Sequence, residues 1–306
     1  MRQLLLKICQ SARAQAVRGM AGTGMGLLLC VTLLACGKAA AQESAEWKLV
    51  WSDEFNRDGR LDSTVWNYEN GYARNEEAQW YQPDNAYCKD GKLVIVARKE
   101  TGRKNPLYEA GSQDWRKKRE YIEYTSSSVT TAGKKEFLYG RMEVRAKIPT
   151  AGGAWPAIWL LGSGMDWPSC GEIDIMEYYR IKGVPHILAN ACWGTDRQWE
   201  AKWDSQATPF THFTDRDPQW ADKFHLWRMD WDETSIKLYL DDELLNEIPL
   251  SETVNGSLGK GTNPFKKPQY ILLNLALGGI NGGPVDDAAM PMVYEIDYVR
   301  FYQLAK

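Results

Sequence analysis

Apolar and polar residues alternate along most of the chain in short runs with a period of two, the spacing of strands that bury one face. Such runs, some of them continuously apolar, lie at 47–51, 92–97, 140–148, 235–240, 270–276 and 294–302. Turn-forming residues separate them: Asp90-Gly91, Asp241-Asp242, Gly278-Gly279 and Asn281-Gly282-Gly283-Pro284. No long segment carries a helical period. Many strands joined by polar turns predict one all-β domain over residues 45–304, built as two antiparallel sheets packed face to face. No Pro/Ser linker, low-complexity tract or repeat divides that span. The stretch 195–223 is rich in Trp, Asp, Thr and Pro and weakly periodic, which predicts a long functional loop.

Residues 1–41 depart from this pattern. Arg2, Lys7, Arg13 and Arg18 form a basic region, followed at 26–34 by an apolar run too short to span a bilayer as a stable helix. The segment predicts export and lies outside the folded domain. Leu33-Leu34-Ala35-Cys36 resembles a bacterial lipobox, with Cys36 as the lipidated residue, and Ala39-Ala40-Ala41 fits ordinary signal-peptidase cleavage. The lipobox is preferred, which predicts a lipoprotein in the periplasm or on the cell surface; the alternative is a secreted or periplasmic protein. Met20 and Met25 are alternative starts, given the length of the basic region.

A net charge of −3 offers no basic field for nucleic acid. The membrane is expected to be met only through the N-terminal lipid, and the chain is expected to be a monomer. Fourteen Trp and fifteen Tyr change the picture more, because the apolar faces of pyranose rings stack on indole. Three cysteines belong to the folded part: Cys88, Cys170 and Cys192. They describe no disulfide framework, and both a Cys170–Cys192 bridge and three buried thiols stay open. No His/Cys cluster suggests zinc, and His186, His212 and His225 stand in no Ser or Cys triad motif.

The chemistry concentrates at Glu172-Ile173-Asp174-Ile175-Met176-Glu177. Alternation puts Glu172 and Asp174 on one strand face, but Glu177 is five residues from Glu172 and falls out of phase. A β-bulge near Ile175-Met176 would return it to their face. Three acids on one face occur on plain solvated strands; they also suit glycoside hydrolysis by two carboxylates, which sit about 5–5.5 Å apart when configuration is retained. Trp155 and Trp159, four apart, share a strand face and stand either at a sugar site or in the core. Asn190 and Trp193, an odd step apart, face opposite ways on a regular strand.

These acids stand among Gly153-Ala154-Trp155-Pro156-Ala157-Ile158-Trp159, the 186–194 segment, Trp51-Ser52-Asp53-Glu54-Phe55 and Ile296-Asp297-Tyr298. Together they resemble the family 16 glycoside hydrolases, specifically the laminarinase-like β-glucanases, over about residues 46–303. The resemblance implies a β-jelly roll with an open cleft on its concave face and no catalytic cofactor. It implies a retaining endo-β-glucanase acting on β-1,3- or mixed-linkage β-1,3/1,4-glucans, with Glu172 as nucleophile, Glu177 as general acid/base and Asp174 between them. It places Trp155, Trp159, Asn85, Arg145, Asn190 and Trp193 at sugar subsites, although Asn85 also reads as a turn residue and Arg145 as a surface charge pair. His186 reads equally as cleft or core. Glu54, the carbonyl of Gly91 and Asp297 are implied as ligands of a structural Ca²⁺, a hard ion that takes oxygen donors. Two departures leave the glucan open: Ser128 stands where relatives often carry Arg, and Asn190 where many carry His. Selection is expected in the 195–223 loop, through Trp199, Trp203 or Phe210. Two alternatives are the same chemistry on agar, porphyran or carrageenan, and a non-catalytic β-glucan-binding protein.

Overall fold

The period-two runs form strands in the computed structural model, which describes residues 46–305. The basic stretch, the apolar run and Cys36 lie outside the described residues. Seven strands make one sheet, in the order Ala201–Pro209, Val184–Gly194, Glu172–Ile181, Ala154–Gly162, Gln269–Leu277, Ser128–Thr130 and Asn67–Tyr68. The second sheet has ten strands, centred on His225–Trp231, Gly140–Lys147, Met292–Leu304 and Lys92–Lys99. The Trp47–Asp53 strand pairs with Met292–Leu304 and brings the start of the domain to its end. Pairing is antiparallel except between the short strands Gln79–Tyr81 and Tyr124–Ser126.

Alternation decides which residues meet between the sheets. Gly140–Lys147 and His225–Trp231 bury every second residue. Met142, Val144, Trp227 and Met229 from the ten-stranded sheet pack in one core with Ile158, Leu160, Ile173 and Ile175 from the seven-stranded one. The opposite face of the seven-stranded sheet carries a separate small cluster of Ala157, Trp159 and Leu272. That second cluster marks the side on which the cleft lies.

Two segments depart from their expected character. The 195–223 stretch is not a single loop. It contains the Ala201–Pro209 strand, which adds an edge to the sheet with nine consecutive pairings from His186↔Pro209 to Gly194↔Ala201, and then two short helical turns. Its polar composition obscured the strand because an edge strand exposed on both faces needs no apolar side. The 100–123 region forms an arm, closed by the Lys104↔Tyr121 bridge, that packs against the 72–77 loop through Arg116 and Arg119.

Candidate active site

The Glu172–Ile181 strand begins sharply. Gly171 has φ +78°, and a Cβ there would stand 2.7 Å from Pro264, so only glycine fits. The ladder with Ala154–Gly162 then pairs Asp174↔Trp159, Met176↔Ile158 and Glu177↔Ala157, with a register shift between Asp174 and Met176. This is the bulge that the spacing predicts. Ile175 and Met176 both enter the core, and Glu177 turns back to the face of Glu172 and Asp174. The three acids line a cleft of about 600 Å³ across the sheet, with Trp155 and Asn190 from the flanking strands.

Indole and amide groups hold the carboxylates. The Trp167 Nε1–H donates to Glu172 Oε2 at 2.9 Å, and the Trp155 Nε1–H to Glu177 Oε1 at 2.9 Å. Asn190 Nδ2 donates to Glu177 Oε2 at 3.3 Å and lies 3.4 Å from Asp174 Oδ2. Burial raises all three acids. Glu172 and Glu177 are each pushed up to about 7 from 4.5, and Asp174 is raised well above 3.8 by burial and by the charges of the two glutamates. The surroundings of the glutamates differ. The Trp167 N–H, the Arg74 charge and a hydrogen bond with Asp174 favour ionised Glu172. Glu177 also has indole and amide donors, but it stands in the negative fields of Glu172 and Glu77, which favour its proton. Two neighbouring carboxyls in opposed fields can divide acid and nucleophile roles.

Of the residues expected at sugar subsites, Trp155, Trp159 and Asn190 line the cleft. The two tryptophans are 5% and 7% exposed and present little stacking face; they use their N–H groups on Glu177 and on Asn274 Oδ1, the latter at 2.7 Å. Asn85, Arg145 and Trp193 are not brought to the cleft. Asn85 is fully buried and donates to the Val96 carbonyl at 2.6 Å and to Thr125 Oγ1 at 3.1 Å, so it locks a turn. Arg145 projects from the other sheet, pairs with Asp297 at 2.6 Å and lies over Phe224. Trp193 packs in the inter-sheet core, as its odd step from Asn190 allows. His186 sits at the hairpin end with Nδ1 2.8 Å from the Val184 carbonyl, in neither the cleft nor the core. All three cysteines are buried free thiols, so Cys170 and Cys192 are not bridged.

Several cleft residues escaped the sequence reading: Arg74, Asn75, Glu77, Trp167, Tyr179 and Asn274. Tyr179 alone carried a signal, being two residues beyond Glu177 on the same face. The others come from loops or from a strand whose partners only the fold reveals. Trp203, 43% exposed, lines the cleft from the edge strand, whereas Phe210 packs on Tyr178 and Trp220. Ser128 is buried and its hydroxyl donates to Glu69 at 2.5 Å; Glu69 in turn pairs with Arg74, so a guanidinium reaches this flank from another loop.

The implied Ca²⁺ ligands do not fit a cation as arranged. Both Glu54 oxygens take the forked donors of Arg300, at 2.9 and 2.8 Å, and Asp297 takes Arg145. Among the described residues no three His, Cys, Asp or Glu side chains gather as a metal cluster.

Relatives extend over nearly the whole domain. The chain is 33% identical over 298 residues to a β-glucanase of Rhodothermus marinus, covering 90% of this chain and 93% of that protein. A solved structure described with endo-acting O-glycanases of human gut microbiota that initiate mucin breakdown shares 38% identity and a TM-score of 0.72, covering 84% of this chain and 91% of that one. The laminarinase catalytic domain of Thermotoga maritima shares 32% identity and a TM-score of 0.67, covering 85% and 100%. The family model for glycosyl hydrolases family 16 matches residues 74–300, which hold the acid strand and most of both sheets, and the chain belongs to that family.

Proposed function

We propose that this glycoside hydrolase is a retaining endo-β-glucanase that cuts β-1,3- or mixed-linkage β-1,3/1,4-glucans. The observation that carries the reading is the bulged acid strand, with Glu172 and Glu177 on the floor of one cleft in opposed electrostatic surroundings. Glu172, in its ionised form, attacks the anomeric carbon while Glu177, in its protonated form, protonates the leaving oxygen. The bond from the anomeric carbon to that oxygen breaks as the bond to the Glu172 carboxylate forms. Glu177, now ionised, takes a proton from water, which displaces Glu172 and restores the original configuration. Asp174 holds a proton toward Glu172 and keeps three adjacent acids from carrying three charges. An open cleft admits the middle of a polymer, which supports endo-action.

One observation favours a second reading, cleavage of mucin O-glycans. The solved structure described with O-glycanases is 38% identical to this chain, against 32% for the laminarinase domain. Product analysis on laminarin, barley β-glucan, lichenan and mucin O-glycans separates the two. Oligosaccharides released from a glucan, with the β-anomer appearing first by proton NMR, are expected. Cleavage of mucin glycans alone moves the assignment to the second reading, and α-anomers appearing first would refute retention.

The N-terminal segment supports export with lipidation at Cys36, and a monomer suffices because one chain supplies every residue of the cleft. Mass spectrometry of the mature N-terminus tests the first point.

A further inference from the structure

Arg74 neither attacks nor transfers a proton, yet it lines the cleft with 27% of its side chain open. Its Nη2 pairs with Glu69, which Ser128 holds from behind, while Nη1 is buried with no hydrogen-bond partner among the described residues. The guanidinium carbon lies 5.0 Å from the centroid of the Trp159 ring. A sugar entering this flank therefore meets guanidinium above the Trp159 ring. A charged donor with unmet capacity, held in a substrate cleft, favours a ligand with an acceptor oxygen.

The loop that carries Arg74 is held with unusual completeness. Asn75 and Glu76 both have left-handed backbones, at φ 55° and 52°. The carbonyls of 72, 73, 76 and 77 all accept from the arm: Arg116 donates to Tyr72 at 3.2 Å and Ala73 at 2.8 Å, and Arg119 to Glu76 at 2.7 Å and to Glu77. Two forks thus fix a strained loop whose cleft-facing products are Arg74, Asn75 and Glu77. The arm presents no residue to the cleft itself.

Trp159, under Arg74, pairs with Asp174, and Leu161 with Glu172, whereas Glu177 pairs with Ala157 further along. Arg74 therefore stands over the middle of the acid site, opposite Asp174. Charge selects the ligand. Glu69 neutralises Arg74, and Glu77, Glu172, Asp174 and Glu177 all face the same space. A sulfated or carboxylated sugar would meet net negative charge there.

We propose that Arg74, held by Arg116 and Arg119, is a specificity-determining residue of the cleft, donating to an acceptor oxygen of an uncharged sugar. The inference rests on the hydrolase reading above but not on which neutral polymer is cut. Kinetics of wild type, Arg74→Met, Arg74→Lys and the Arg116→Ala/Arg119→Ala double variant, on the polysaccharide that the wild type cleaves best, test it. Arg74→Met is expected to lower kcat/KM about 10- to 100-fold, mostly through KM, because the contact is made before and during the reaction. Its acid limb should also move to higher pH, since a positive charge near Glu172 is gone. Arg74→Lys should keep the acid limb and lose the fork, with a smaller drop, and serves if the Met variant does not fold. The arm variant should follow Arg74→Met in direction with unchanged kcat. A kcat/KM for Arg74→Met within twofold of wild type overturns the inference alone, as does a loss tracking melting temperature with the acid limb unmoved. Preferred cleavage of a sulfated polymer overturns its ligand class. A wild type inactive on every polymer overturns the functional reading and this inference with it.

Discussion

The Gly140–Lys147 and Glu172–Ile181 strands lie in opposite sheets and carry the same kind of pattern, charged residues on one face and apolar ones on the other. On the first, each cation meets an acid: Arg141 forks to Asp230 at 2.6 and 2.8 Å, Arg145 pairs with Asp297, and Lys147 with Glu295. These pairs are partly solvated, and the strand is an ordinary surface. On the second, among the described residues, no ion pair reaches Glu172, Asp174 or Glu177. Their donors are indoles and an amide, which give hydrogen bonds but no charge. Burial without a counter-ion raises all three, and raised carboxyls side by side are what proton transfer near neutral pH needs. The lesson is that alternation with charge locates a strand, whereas the partners of the charges decide whether it is a surface or a site.

The contrast can be broken most severely at Glu172. Glu172→Gln keeps the shape and the Trp167 contact but removes the nucleophile, so kcat on polymer should fall at least about 10⁴-fold with circular dichroism unchanged. A residual rate near wild type would end its assignment.

The next effect is on stability against pH. Glu177 ionises at about 7 in the folded chain and at about 4.5 when unfolded, so the native state holds a proton that the unfolded state gives up. The contribution is fully present below about pH 4.5 and lost as pH rises through 7, because the raised group binds its proton more tightly when folded. Glu177→Gln cannot ionise there. Its stability relative to wild type should rise between pH 5 and pH 8 by about 3 kcal/mol. Denaturant melts at the two pH values measure this, and a difference that shrinks toward pH 8 would contradict the burial argument.

The smallest effect belongs to the other strand. Arg141→Ala should cost about 1 kcal/mol or less, diminish with added salt and leave kcat/KM within twofold. A larger loss of activity would mean that the two sheets are coupled in a way their separate faces do not suggest.

Much of this molecule was legible before folding because periodicity is local. The strands at 92–97, 140–148 and 235–240 follow from alternation, and the bulge at Ile175-Met176 follows from an odd spacing between acids. The Ala201–Pro209 strand was missed because, exposed on both faces at an edge, it has no apolar period. Asn85 and Arg145 take the turn and charge-pair readings rather than the subsite that the resemblance implies, for a related reason. A polar residue in a family-like position carries no mark of whether it faces a cleft, a turn or the other sheet. Trp155 and Trp159 share the face that alternation gives them, and only the fold shows that their N–H groups reach Glu177 and Asn274.

The chain by itself determined the strands, the face that the three acids share and the family to which they belong, since each is read from short local patterns, period-two runs and motifs of a few residues. Tertiary structure decided which acids lack a counter-ion, that Glu54 and Asp297 are taken by arginines, and that Arg74 crosses into the cleft on a loop held from the arm. Those outcomes depend on groups tens to hundreds of residues apart, and charge and hydrogen bonding act through space, where separation along the chain has no meaning.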